Sequence, residues 1–316
     1  MTVDNQITVL LRCDNIVGES PLWCTRRQRL YWVDIRAPKL MSCDADGMNL
    51  QTWRMPEAIG SFAFCHSDAF VVALKSGIYL HTLGTPDFKL LAAPDANLPQ
   101  HRFNEGKYDA RGRFWAGTMH DVLREPTGSL FRLDANYGCK RVRTGIAVPN
   151  SLAWSPDGQR MYFADSETQT IVVFDFDLND GALGEPRLLV DLRTGAGRPD
   201  GCTVDIEGCL WSADVATGRV VRYAPDGLEM QSWKFPVTRV TSLTFGGADL
   251  RTLYITSARF KLTESELVAQ PLAGALFTMQ APVQGLPANL YREGAEACAS
   301  PPALLASRSE TQIKHS

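Results

Sequence analysis

A short apolar or aromatic strand preceded by a turn recurs six times along the 316-residue chain, and this repetition constrains the fold more than any single motif. The copies lie at 30–34, 69–73, 113–117, 161–165, 209–213 and 252–256. Aligned on their third residues they fall at 32, 71, 115, 163, 211 and 254, so the intervals are 39, 44, 48, 48 and 43 residues. That period matches one blade of a β-propeller. A second strand-like element follows each copy within about a dozen residues, as the next strand of a meander would. Asp-Gly or Glu-Gly pairs at 46–47, 157–158, 180–181, 207–208 and 226–227 supply residues that tolerate tight hairpins. Such strands cannot bury both faces within one blade, so blades must stack radially and the ring must close. The expected fold is all-β, a six-bladed propeller of four-stranded antiparallel blades forming one domain over 1–294. A strand at 6–13 is expected to complete the last blade. Helical periodicity is confined to about two turns at 263–269. From 295 to 316 the sequence turns to Ala, Ser, Pro and charged residues without periodicity, which predicts a disordered tail.

Bulk properties narrow the partners. Thirty-two basic residues stand against thirty-five acidic ones with no basic stripe, so a nucleic-acid footprint is missing. No run of about 18 apolar residues occurs, and Met1 to Arg12 lacks a basic region leading into an apolar stretch. The expected location is the cytoplasm, with no membrane partner. The eight cysteines (Cys13, Cys24, Cys43, Cys65, Cys139, Cys202, Cys209 and Cys298) form no C-x-x-C pair and read as reduced, mostly buried thiols.

Sites on a propeller axis are built from the innermost strand of each blade or the loop before it, so polar residues just upstream of the repeated strands are the candidates. Glu19 lies 13 residues before Trp32, Asn104 lies 11 before Trp115, Asn150 lies 13 before Phe163 and Asp200 lies 11 before Trp211. Taken singly, Asp or Asn before Gly or Ser is an ordinary turn residue. The matched offsets instead aim four blades at one axial point, with Arg102 beside Asn104. Two carboxylates and an amide oxygen make a hard, oxygen-only ligand set suited to calcium, magnesium, manganese or iron, with zinc possible. Lys107 and Glu105 read as solvated charges, His101 and His120 as satisfied or exposed histidines, and Trp32, Trp115 and Trp211 as blade core. No G-x-S-x-G, P-loop, H-E-x-x-H or G-x-G-x-x-G occurs, so a serine-hydrolase elbow, nucleotide site or zinc-protease helix has no motif behind it.

Four ordered motifs then carry a resemblance: 18–23 (GESPLW), 102–107 (RFNEGK) leading to 117–119 (GTM), 149–158 (PNSLAWSPDG) and 199–201 (PDG). Over about residues 8 to 293 the chain resembles the family of senescence marker protein (regucalcin), gluconolactonase and luciferin-regenerating enzyme. Segments 245–254 and 270–277 look most like bacterial sugar lactonases. The resemblance implies a six-bladed propeller, one divalent ion and hydrolysis of an aldonolactone to its aldonic acid. It places the metal ligands on Glu19, Asn150 and Asp200, the general base on Asp200, and substrate contacts on Arg102 and Asn104. The pattern departs at Val122, where some animal members carry a substrate-contacting Glu; Asp121 or His120 is the candidate replacement.

The expected activity is metal-dependent hydrolysis of a small sugar lactone, a carboxylic ester. Two alternatives stand beside it. One is a non-catalytic metal-binding or interaction propeller, because fold does not fix function. The other is phosphotriesterase or arylesterase activity, because an ion that polarises a carbonyl also polarises a phosphoryl group.

Overall fold

The computed structural model describes residues 7–290, so the expected tail at 295–316, Cys298 included, lies outside the described residues. Strand β1 (Thr8–Leu11) precedes five groups of four strands and a last group of three. Blade one is β2 (Gly18–Cys24), β3 (Arg29–Asp34), β4 (Lys39–Asp44) and β5 (Gln51–Arg54); blade two is β6 (Ile59–Phe64), β7 (Phe70–Leu74), β8 (Gly77–His81) and β9 (Phe88–Ala92). Blade three is β10 (His101–Tyr108), β11 (Phe114–His120), β12 (Gly128–Leu133) and β13 (Cys139–Ile146); blade four is β14 (Pro149–Trp154), β15 (Arg160–Asp165), β16 (Thr170–Asp175) and β17 (Arg187–Asp191). Blade five is β18 (Pro199–Val204), β19 (Leu210–Asp214), β20 (Arg219–Tyr223) and β21 (Glu229–Lys234). Blade six is β22 (Val240–Gly246), β23 (Thr252–Ser257) and β24 (Leu276–Gln280), with helix α1 (Glu264–Ala269) between the last two.

Each blade is an antiparallel meander, and β1 pairs with β24 to supply the fourth strand of blade six. The N-terminal strand thereby closes the ring and removes an open sheet edge, as the sequence predicts. The repeated strands of the sequence are the second strand of each blade. Burial falls outward: the axial strands β2, β6, β14, β18 and β22 are almost wholly buried, whereas the outer strands β5 and β21 are mostly exposed. Six apolar clusters fill the six seams between neighbouring blades. Trp32, Trp115 and Trp211 each sit fully buried in one of them, which is the blade-core role expected for them. At the seam that closes the ring, Trp23 stacks on Tyr254 with centroids 5.5 Å apart. The five predicted Asp-Gly and Glu-Gly turns all place their glycine at φ between 67° and 91°, the region that disfavours a Cβ.

Two repeated devices, both below the resolution of the sequence pattern, position the axial ends. Each axial strand breaks its register with the second strand near its start, between Glu19 and Leu22, Asn150 and Ala153, and Pro199 and Cys202, for example. A bulge of this kind bends the strand and re-aims a side chain. Ser20 and Ser151, just past the site residues, adopt φ of 49° and 50°. In addition, an Asp at the end of the second strand grips the loop feeding the axial strand. Asp34 accepts backbone N–H groups from Ile16, Val17, Arg36 and Ala37 at 2.8–3.1 Å. Asp165 does the same for Ala147, Val148 and Glu167, and Asp214 for Arg198, Ala216 and Thr217. Among the described residues no helix is long and apolar enough to cross a membrane.

Candidate active site

The starts of the axial strands converge on one cavity of about 530 Å³, and all five predicted residues, Glu19, Arg102, Asn104, Asn150 and Asp200, line it. They come from four blades and each is at most 8% exposed. The matched positions of four blades thus end at one cavity, but spacing carries no information on the hydrogen-bonded order among these side chains.

A directed chain fixes the amide of Asn150. Arg102 gives Nε to the Asp121 carboxylate at 2.6 Å and Nη1 to Asn104 Oδ1 at 2.7 Å. Asn104 Nδ2 donates to the Pro149 carbonyl and to Asn150 Oδ1, both at 3.0 Å. Asn150 Nδ2 then donates to Ser166 Oγ at 2.8 Å, and Ser166 Oγ donates to the Pro199 carbonyl at 2.6 Å. A guanidinium can only donate and a carbonyl can only accept, so both ends of the chain are polar in one sense and Asn150 has a single consistent orientation. Its Oδ1 keeps a second lone pair for a ligand. Asn104 is largely consumed in this wall, so its part is to hold Asn150 at least as much as to touch a substrate.

Burial holds the Glu19 carboxyl well above the usual carboxylate range, with the charges of Asp200 and Glu105 adding to the effect. Asp200 is pushed up to about 8, first by burial and then by Glu105, while Arg124 pulls the other way. Two adjacent buried carboxyls that resist ionisation together are stabilised as a charged pair by a cation between them. Backbone donors reach both carboxyls: Ser20 N–H meets Glu19 Oε2 at 2.8 Å, and Gly201 N–H serves Asp200. With Asn150 Oδ1 the two carboxyls offer hard oxygen donors that could hold one divalent ion. Among the described residues no group of three or more His, Cys, Asp and Glu side chains is arranged to hold a metal, so a thiolate or imidazole cage is not part of the site.

Glu105 and Lys107 correct the reading as solvated surface charges. Glu105 is 5% exposed and pairs with Lys107 at 3.3 Å. Lys107 Nζ also donates to the Cys202 carbonyl on β18, two blades away, so the pair ties blade three to blade five. The cause is the register break between Phe103 and Gly106, which interrupts the in-and-out alternation on which the surface assignment rests. Of the two candidates near Val122, Asp121 lines the cavity and His120 does not; Asp121 binds Arg36 at 2.7 Å as well as Arg102. His120 caps its own turn, accepting N–H from Val122 and Leu123, and Val122 is exposed. His101 is buried between Asp95 and Thr127, the satisfied histidine expected for it.

Three wall features escape the motif reading because they sit in loops without periodicity. Arg124 and Arg198, from different blades, share the Glu167 carboxylate at 2.8 and 2.6 Å. Arg239 enters just before β22. The insertion between β23 and β24 adds Phe260, Lys261 and Leu262 over the cavity, with α1 held by a Thr263–Glu266 capping box. Phe260 packs under the Arg36 guanidinium at 4.9 Å.

Comparison with known proteins agrees with this architecture. Residues 17–259 match the family described as SMP-30/Gluconolactonase/LRE-like region. The 6-deoxy-6-sulfogluconolactonase of Pseudomonas putida is 37% identical over 290 residues, covering 92% of this chain and 99% of that protein. The L-arabinolactonase of Azospirillum brasilense is 36% identical over 280 residues, covering 87% and 92%. The crystal structure of regucalcin, a calcium-binding protein from Agrobacterium tumefaciens, superposes with a TM-score of 0.87 at 27% identity, covering 91% of this chain and 98% of that one. With the family match spanning most of the ring and these relatives aligned nearly end to end, the chain belongs to the SMP-30/gluconolactonase/LRE-like family of sugar lactone hydrolases.

Proposed function

We propose that this chain hydrolyses a small sugar lactone to the open aldonic acid, using one divalent ion held by Glu19, Asn150 and Asp200. The observation that carries the reading is the convergence of two buried carboxyls and one orientation-locked carboxamide on a single polar cavity. The relatives named as a sulfogluconolactonase and an arabinolactonase support the lactone class, and the calcium-binding relative supports a hard ion.

The lactone lies in the cavity with its carbonyl toward Glu19, Asn150 and Asp200, against a wall formed by Arg102 and Asn104. A bound divalent ion supplies Lewis-acid polarisation of the carbonyl and a lowered pKa for water. Asp200 is placed to accept the proton of the attacking water at its carboxylate and to return it to the ring oxygen as the acyl–oxygen bond breaks. The Asp121–Arg102–Asn104 chain keeps the Asn150 oxygen in place, so the wall is organised before substrate arrives. The roof segment carrying Phe260 and Leu262 limits water around the reacting carbonyl. The test is pH-stat hydrolysis of gluconolactone, galactonolactone, xylonolactone and arabinonolactone by ion-loaded protein, with Glu19→Gln and Asp200→Ala beside it. Acceleration over spontaneous opening that both substitutions abolish is expected; no acceleration with any ion and any lactone would remove the reading.

A further inference from the structure

The cavity wall carries more positive charge than the lactone chemistry needs. Five guanidiniums line or flank it, and only two carboxylates are shared among four of them: Asp121 serves Arg36 and Arg102, and Glu167 serves Arg124 and Arg198. At the rim Lys261 adds one positive charge and Glu266, which acts on Arg239, one negative charge. With Glu19 and Asp200 neutralised by their ion, an excess of three positive charges remains around one small-molecule cavity.

Arg239 is the least satisfied of the five. It lies within 4 Å of no carboxylate among the described residues, its Nη2 reaches only the Lys261 carbonyl at 3.3 Å, and its buried Nε has no partner. A buried unpaired donor costs free energy that a ligand acceptor recovers. Burial pushes the Arg239 guanidinium toward losing its proton; the Glu266 charge offsets this only in part and the Arg124 charge adds to it, a strain that an anion placed between two guanidiniums relieves. Arg124 also acts on Asp200, so this cationic corner lies next to the reacting end of the cavity.

We infer that the lactone carries a second, anionic group, a carboxylate, sulfonate or phosphate ester on a carbon outside the lactone carbonyl, and that Arg239 with Arg124 receives it. This inference rests on the lactonase reading and refines its substrate class. A neutral aldonolactone leaves Arg239 unpaired; an oxyanion takes its Nε and Nη donors in the forked geometry that guanidinium prefers.

The experiment compares kcat/KM for D-glucono-1,5-lactone, its 6-phosphate and its 6-deoxy-6-sulfonate at low and high salt with ion-loaded protein. The anionic lactones are expected to be preferred at least tenfold at low salt, the preference shrinking as salt screens the wall. Arg239→Gln is expected to lower the anionic-to-neutral ratio by about 10- to 100-fold. Arg239→Lys keeps part of it, and Arg187→Gln on the outer strand β17 leaves it unchanged. Calorimetry of 6-phosphogluconate against gluconate reads the same preference in folded protein without turnover. If the neutral lactone is opened as well as the anionic ones, or Arg239→Gln leaves the ratio and the binding difference intact, the inference is wrong while the lactonase reading stands. If no lactone is opened at all, both fall.

Discussion

Replacing Asp121 by Ala removes the only carboxylate between Arg36 and Arg102. Arg102 is 8% exposed and its neighbours in the chain are buried, so its charge has no ready access to water. Breaking a buried pair by deleting one partner costs about 3–5 kcal/mol, because the remaining charge stays desolvated. The Asp121 side chain is 19% exposed and Arg36 is partly solvated, so water replaces some of the loss and the expected cost is about 2–4 kcal/mol. For a domain of this size that corresponds to a melting-temperature fall of roughly 3–7 °C. Asp121→Asn keeps the shape and one acceptor, and should cost about half as much. Urea denaturation with an unchanged slope measures the loss, and lactone KM measures how far Arg102 and Asn104 have drifted. Equal losses in the two variants, or a loss below about 1 kcal/mol with unaltered KM, would refute the claim that this carboxylate anchors the Arg102–Asn104–Asn150 chain.

Asp34→Ala strips the acceptor from four backbone N–H groups at the entry to β2 and should destabilise by about 3 kcal/mol or more, with Asp34→Asn intermediate; urea denaturation decides, and a loss within 0.5 kcal/mol would show that the clasp is idle. In chelated protein, Asp200 holds its proton up to about pH 8 when folded but only to about 3.8 when unfolded. Folding therefore binds a proton across that window, and the Asp200 contribution to stability is full below it and lost as pH rises toward 8. Stability of wild type minus that of Asp200→Asn, measured with chelator at pH 5 and pH 8, should fall with pH; a flat difference would mean that Asp200 is not held protonated. Adding the divalent ion should reverse the trend, since ion and proton compete for the same oxygens.

The ring was readable because a propeller repeats one supersecondary unit, and the strand spacing survives in the residues at 32, 71, 115, 163, 211 and 254. The cavity was readable for a related reason: nearly equal offsets, 11 or 13 residues, from equivalent strands end near equivalent axial points, which is where Glu19, Asn104, Asn150 and Asp200 lie. The contents of the channel were not. Glu105 and Lys107 face inward because a bulge breaks the two-residue alternation, and nothing in a charged residue's identity announces a bulge. Asp34, Asp165 and Asp214 do leave a trace, an Asp closing three of the second strands, but it takes the hydrogen-bond geometry to show what they grip. Arg124, Arg198 and Arg239 come from separate loops whose lengths vary from blade to blade, so no periodicity brings them together before the ring closes.

The central claim is that Glu19, Asn150 and Asp200 hold one divalent ion that lactone opening requires. The most direct measurement is the initial rate of lactone hydrolysis in a pH-stat for wild type and Asp200→Ala, after exhaustive chelation and then during stepwise readdition of calcium, magnesium, manganese, iron or zinc. The rate should vanish on chelation, return with about one equivalent of a single ion in the wild type, and not return in Asp200→Ala. Full activity in chelated protein, or equal restoration in the variant, would rule out an ion held by these three residues.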